Sequence, residues 1–157
     1  NNNRFFMTTN ELKLRTKNFS LTIIDLVEKL PNSISVRVVA NQIVKSGTSV
    51  GANYRAVCRA RSDREFVSKM NIVLEEADET LFWIEIIMDK QWINKPELEV
   101  IWKEGNELTA IFVSSLKTVN DRISTQNKSL YSKIFSLILN FSLLKLLDFS
   151  IVSLAIK

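Results

Sequence analysis

A chain of 157 residues can bury a sizeable core in one domain, and 46% hydrophobic against 24% charged residues excludes a disordered chain. Three glycines and two prolines disfavour a turn-rich sandwich or barrel and suit long helices. With no histidine and a single cysteine, Cys58, the chain lacks Ser-His-Asp and Cys-His nucleophilic sites, most zinc sites and any internal disulfide.

The opening NNNRFF is followed by no signal-peptide hydrophobic run. Met7 reads as a natural start, and residues 1–9 are set aside as an N-terminal extension. From about Asn10 to Leu30, Leu12, Phe19, Ile23, Leu26, Val27 and Leu30 share one helical face, with Lys13, Lys17 and Glu28 mostly outside it. Pro31 stops that helix.

The second pattern runs from about Ser35 to Ala60. Val36, Val39, Ile43, Val50, Tyr54 and Val57 form its apolar stripe, beside the small residues Ala40, Gly47, Gly51 and Ala52. Glycine inside a helix costs about 0.5–1 kcal/mol relative to alanine, so two glycines four apart indicate tight packing or a local bend. Cys58 lies among these small residues and reads as a packed small hydrophobe rather than a reactive thiol.

Ser62-Asp63-Arg64-Glu65 opens the third helix as a capping box. Phe66, Met70, Val73, Leu74, Ala77, Leu81, Ile84 and Met88 follow at helical spacing. Pro96 fits the first turn of a fourth helix capped by Asn94 or Lys95. Leu98, Ile101, Trp102, Leu108, Ile111, Phe112, Leu116 and Val119 carry it to about Asn120, with Gly105 as a weak point. Four such helices with short joints predict an all-α, antiparallel up-down-up-down bundle over residues 10–122.

Residues 123–157 form an atypical apolar C-terminal tail. From Asn127 onward it has no Glu, Gly or Pro, and its longest uncharged run, Ile134 to Leu144, falls short of the ~20 residues that span a bilayer. An appended helix or a poorly ordered extension is preferred, ahead of an oligomer contact and then of membrane association.

The formal charge of +4 hides a separation. Residues 1–70 hold 12 Lys/Arg and 5 Asp/Glu; residues 71–126 hold 5 and 11; the tail holds 4 and 1. The basic cluster is Arg55, Arg59, Arg61 and Arg64, with Lys69 beyond. Arginine forks match phosphate oxygens, so these five residues are the candidate nucleic-acid-binding set, limited to the backbone because no base-reading motif accompanies them. The competing reading is a solvated helix end, or pairing with Glu75, Glu76, Asp78 and Glu79 of the same or a neighbouring subunit. The acidic run lacks the histidines of a di-iron bundle. No metal or cofactor is therefore expected. Trp83, Trp92 and Trp102 read as core or interface anchors before base-stacking platforms.

The stretch Gln42 to Trp83 resembles the 23S ribosomal RNA intervening-sequence proteins, also called S23-type proteins. The matching positions are Gln42, Ser46-Gly47, Ser49, Ala52-Asn53, Ala56, Ser62, Glu65-Phe66, Lys69, Ile72, Glu75-Glu76, Glu79-Thr80 and Trp83. The resemblance covers about residues 10–122 and not the tail. It implies an antiparallel four-helix bundle, often a homopentamer, encoded in some bacteria within insertions of the large ribosomal RNA gene. It also implies kinship with the accessory variability determinant of diversity-generating retroelements, a basic pentamer that binds a reverse transcriptase. Gly47, Gly51, Asn53, Glu75, Glu76, Glu79 and Trp83 are the candidate oligomer or helix-packing residues.

Three functions compete. The leading one is a non-catalytic, cytoplasmic, oligomeric protein that binds RNA or DNA phosphates. The alternative is a protein-interaction scaffold or accessory subunit without direct nucleic-acid binding. The least favoured is a nuclease using Asp63, Glu75 and Glu76 with magnesium. A membrane partner is not expected.

Overall fold

The structure, a computed structural model, describes residues 7–155, with side chains described for residues 7–139. Residues 1–6 of the expected N-terminal extension lie outside the described residues. Four helices follow in chain order: α1 (Thr9–Glu28), α2 (Ile34–Val57), α3 (Asp63–Asp89) and α4 (Lys95–Ala155). Among the described residues there is no strand. The chain divides into two compact units, Asn1–Val119 and Asn120–Lys157.

Local chemistry sets the helix ends of the first unit. Thr8 and Glu11 form a complete capping box: Glu11 N–H donates to Thr8 Oγ1 at 3.2 Å and Thr8 N–H donates to Glu11 Oε2 at 2.6 Å. Thr8 and Thr9 therefore belong to α1 and its cap rather than to the extension. At α3, Glu65 N–H donates to Ser62 Oγ at 3.2 Å, but Glu65 Oε2 accepts from Arg61 N–H at 2.7 Å instead of from Ser62. The expected reciprocal box is half formed, and Glu65 ties down the α2–α3 connection.

Asn94 caps α4, its Oδ1 accepting from Glu97 N–H at 3.0 Å. The far end of α3 closes as a Schellman motif, with Gln91 N–H donating to the Met88 carbonyl at 2.9 Å and Trp92 N–H to the Ile87 carbonyl at 3.3 Å. Gln91 takes φ 55° there, the left-handed position that glycine usually fills.

Cross-helix contacts make every consecutive pair antiparallel. Ideal Cβ atoms built at Gly47 and Gly51 fall against Ile23 and Ser20 of α1, so the α2 number rises as the α1 number falls. Thr80 of α3 donates to Ser46 Oγ of α2 at 3.1 Å, and Trp102 of α4 donates to Glu85 of α3 at 3.0 Å. Arg15 and Lys29 of α1 pair with Glu104 and Glu97 of α4, again in reverse order. The core runs the length of this unit, centred on Phe19, Ile23, Ile43, Val50, Met70, Val73, Ile84, Leu98, Leu108 and Phe112.

Three packing details depart from expectation. Gly105 marks a close approach rather than a weak point, because a Cβ there would meet Leu81 Cδ2 at 2.8 Å and Phe19 Cζ at 3.2 Å. Trp102, read as part of the apolar stripe, is instead exposed with its indole N–H on Glu85. Ile87, absent from the expected stripe, is fully buried.

The second unit is helical through Ala155, so α4 does not stop near Asn120 as the spacing implied. The last glycine is Gly105 and the last proline Pro96, leaving no breaker downstream. Leu130, Tyr131, Ile134, Phe135, Leu137, Ile138 and Leu139 of this unit are all exposed. No described helix is long and apolar enough to cross a membrane.

Candidate nucleic-acid interface

The antiparallel order brings the C-terminal end of α2 and the N-terminal ends of α1 and α3 to one end of the bundle. Arg55 sits on the last turn of α2. Arg59 and Arg61 lie in the α2–α3 connection, because α2 ends at Val57 with Cys58 as its C-cap, short of the expected Ala60. Arg64 is on the first turn of α3. All four arginines are exposed, and none has a carboxylate within ion-pair distance among the described residues.

Lys69 differs. Its ammonium lies 2.7 Å from Glu65 Oε1, and this pairing, followed by the Arg61 backbone N–H, holds the Glu65 carboxyl below the usual range. A partly neutralised lysine is a weaker phosphate ligand than the four arginines beside it.

Three further cations outside the arginine cluster share this end. A Cβ at Gly51 would lie 3.4 Å from Lys17 Cα, so Lys13, one turn earlier on α1, runs alongside Arg55, one turn later on α2. Tyr54 of α2 stacks on Phe112 of α4 with ring centroids 6.0 Å apart. These two helices are parallel, which puts Lys117 at the level of Arg59. Lys17 and Lys117 are exposed and Lys13 half-buried. Laying the four sequence patterns antiparallel was the signal that would have gathered them.

The acidic helix stays apart. Glu75 follows Asp63 by twelve residues on α3, about 18 Å along the axis at 1.5 Å per residue. Within one chain the acidic run therefore neither neutralises the arginines nor joins Asp63 around one magnesium ion. No cluster of His, Cys, Asp and Glu suited to a metal occurs among the described residues.

The candidate packing residues divide by location. Gly47 and Gly51 are buried against α1, while Asn53 is half-buried on α2. Glu76 is half-buried facing α2: burial raises its carboxyl and neighbouring Glu79 adds to that, while Lys45 and a hydrogen bond from Ser49 oppose it. Glu75 and Glu79 are exposed, and Glu79 accepts from the Trp83 indole N–H at 3.1 Å. Trp83 is half-buried, edge-on to the exposed Phe82 ring at 4.9 Å. Cys58 is half-buried against the core beside Tyr54, whose phenol is pushed up chiefly by burial. Beside the α3–α4 connection an open groove carries Asp89 as its one acid; a second, between α1 and α4, holds Arg15 already paired to Glu104.

The family model for 23S rRNA-intervening sequence proteins matches residues 9–114. The chain belongs to that family. Among solved structures it is similar to a protein of unknown function from the S23 ribosomal protein family of Bacteroides thetaiotaomicron, at 34% identity and a TM-score of 0.63. That similarity covers 68% of this chain and 98% of the other. No curated protein matches. The intervening-sequence match stops before the exposed apolar stretch of α4, so the tail lies outside what the family shares.

Proposed function

We propose that this intervening-sequence protein is a non-catalytic, cytoplasmic homo-oligomer that binds RNA or DNA phosphates at the basic end of its bundle. The observation that carries the reading is the set of exposed arginines, Arg55, Arg59, Arg61 and Arg64, that no carboxylate of the described chain neutralises. Arginine presents its donors in a fork that matches phosphate oxygens, and each phosphate neutralised releases condensed counterions. Lys13, Lys17, Lys69 and Lys117 widen the same surface. No base-reading motif accompanies these residues, so binding follows charge and shape rather than sequence.

The homopentamer is the assembly that the family resemblance implies. Head-to-tail contact between such bundles, made away from the basic end, closes into rings. The alternative, a protein-binding scaffold, draws support from Phe82 and Ile72, both exposed on α3 beside Glu75 and Glu79.

Titrating a structured RNA with protein at increasing salt separates the two. Four arginine contacts give a slope of about −3 to −4 in log K against log salt, a loss on the order of 100-fold between 50 and 200 mM. The Arg59→Glu/Arg61→Glu variant should lose binding while keeping helix content and oligomer mass. Binding that survives this reversal removes the site, and loss of assembly in its place favours the scaffold.

A further inference from the structure

We infer that residues 123–139 of α4 form a self-association segment, packing against the same segment of other copies of this chain. Leu130, Tyr131, Ile134, Phe135, Leu137, Ile138 and Leu139 fall within ten residues, each 42% to 71% exposed. At such exposure seven large apolar side chains present on the order of 700 Å², above the roughly 300–600 Å² of the largest patch on a typical monomer. Copies that covered this surface would bury about 700 Å² of each chain, close to the roughly 800 Å² per partner of a standard interface.

The spacing points to a helix of the same kind as the occupant. Ile123, Leu130, Ile134 and Leu137 recur at intervals of seven, four and three, the a/d rhythm of a coiled-coil seam. Asn127 occupies the remaining a position. One polar asparagine in an otherwise apolar seam is how self-pairing helices set register and copy number. From residue 130 onward, Tyr131, Phe135, Ile138 and Leu139 extend the apolar arc to about 200° at 100° per residue, roughly twice the width one packed face requires, with Lys128 at its margin. Each helix therefore has surface for two neighbours. Arg122, Ser129, Ser132, Lys133 and Ser136 are exposed and occupy the opposite side.

A bilayer is a poorer occupant than a second copy. Among the described residues no helix is long and apolar enough to span one. The polar side carries three serines against two cations, whereas a helix lying in the membrane interface is rich in Lys and Arg there.

The test uses the full chain. Sedimentation equilibrium over a dilution series compares it with a Leu130→Lys/Ile134→Lys/Leu137→Lys variant, with circular dichroism reporting helix content. The expected result is an assembly at least halved in mass, or one that dissociates at tenfold or more higher concentration. An unchanged mass and dilution profile overturns the proposal, even if RNA binding at the basic end is intact.

Cysteine pairing in a Cys58→Ser background covers the case in which the triple variant misfolds. Ile134→Cys should give disulfide-linked dimers on mild oxidation, and Ser132→Cys on the polar side should not. Equal cross-linking at both positions, or none at either, overturns the proposal. So does flotation of the unmodified chain with phosphatidylglycerol vesicles that the triple substitution abolishes while mass stays constant.

Discussion

Gly47 of α2 lies so close to Ile23 of α1 that a Cβ at Gly47 would meet Ile23 Cγ2 at 2.7 Å and Cγ1 at 2.8 Å. Both atoms are bonded directly to the Ile23 Cβ, so the neighbour has no flexible end to swing aside. One turn later Gly51 repeats the approach, with Ser20 Oγ at 2.8 Å and the Thr16 carbonyl at 3.1 Å from its ideal Cβ. Ser20 uses the closeness, donating to the Gly47 carbonyl at 2.8 Å.

The first prediction follows from that contact. Gly47→Ala gains about 0.5–1 kcal/mol of helix propensity but forces an overpacked core, which typically costs about 1–3 kcal/mol. We expect a net loss of about 1 kcal/mol and a melting temperature lower by several degrees. Gly105→Ala should lose less, because its nearest obstacle, Leu81 Cδ2, is the end of a flexible side chain. Thermal melts of the two variants check the order; an equal or reversed order removes the argument from Ile23.

Gln91 predicts the opposite sign. It holds φ 55° at the Schellman end of α3, a conformation that costs a non-glycine residue about 1 kcal/mol. Gln91→Gly should raise stability by about 0.5–1 kcal/mol in denaturant titration with an unchanged slope. A loss of stability would show that the Gln91 side chain contributes more than its backbone costs.

Arg15 joins α1 to α4 through two carboxylates. Its Nε and one terminal nitrogen grip Glu104 at 2.6 and 2.7 Å, and that same nitrogen meets Glu107 at 2.6 Å. The guanidinium is held further toward its charged form, first by the hydrogen bond to Glu104. A double-mutant cycle with Arg15→Ala and Glu104→Ala should give a coupling of about 0.5–1.5 kcal/mol that shrinks in high salt. Arg15→Lys should lose most of it, because a point charge cannot reproduce the fork.

The pH dependence contains two opposing signs. Glu65, Glu97 and Glu11 have lowered carboxyl values, from Lys69, from Lys29 and from the Thr8 backbone respectively. A depressed acid contributes stability above its unfolded value, and that stability is lost as pH falls through the folded one. Glu76 is raised by burial, so its charged form weakens the fold near neutral pH, and protonation relieves this as pH falls. Glu76→Gln should therefore melt higher than the parent at pH 7, with the gap closing as pH drops through the carboxylate range. A gap constant with pH would assign the effect to packing.

The basic end makes a prediction that linear charge counting does not. Lys117 is far in sequence from Arg59 yet level with it in the bundle through the Tyr54–Phe112 stack. Lys117→Glu should weaken binding of structured RNA several-fold and reduce the salt slope by about 1, with the melt unchanged. Normal affinity in this variant would confine the surface to the α2–α3 connection.

Much of the fold was legible because apolar spacing is a local property of the chain. The stripe Val36, Val39, Ile43, Val50, Tyr54 and Val57 is buried throughout, and Pro31, Ser62 and Asn94 mark helix boundaries by backbone chemistry. Legibility failed where a partner from another helix decides the outcome. Trp102 fits the apolar rhythm of α4, yet Glu85 on α3 holds its indole at the surface. Gly105 looks like a flaw until Leu81 and Phe19 are placed beside it.

The same division separates what each level determined about this protein. By itself the sequence determined the four amphipathic helices, the arginine cluster around the α2–α3 connection and the lack of histidine chemistry, because periodicity, caps and residue types act over a few residues. Only the tertiary structure decided that Lys13, Lys17 and Lys117 join those arginines while the acidic run lies about 18 Å down α3. Antiparallel packing reverses direction at every turn, so distance along the chain ceases to measure distance in space.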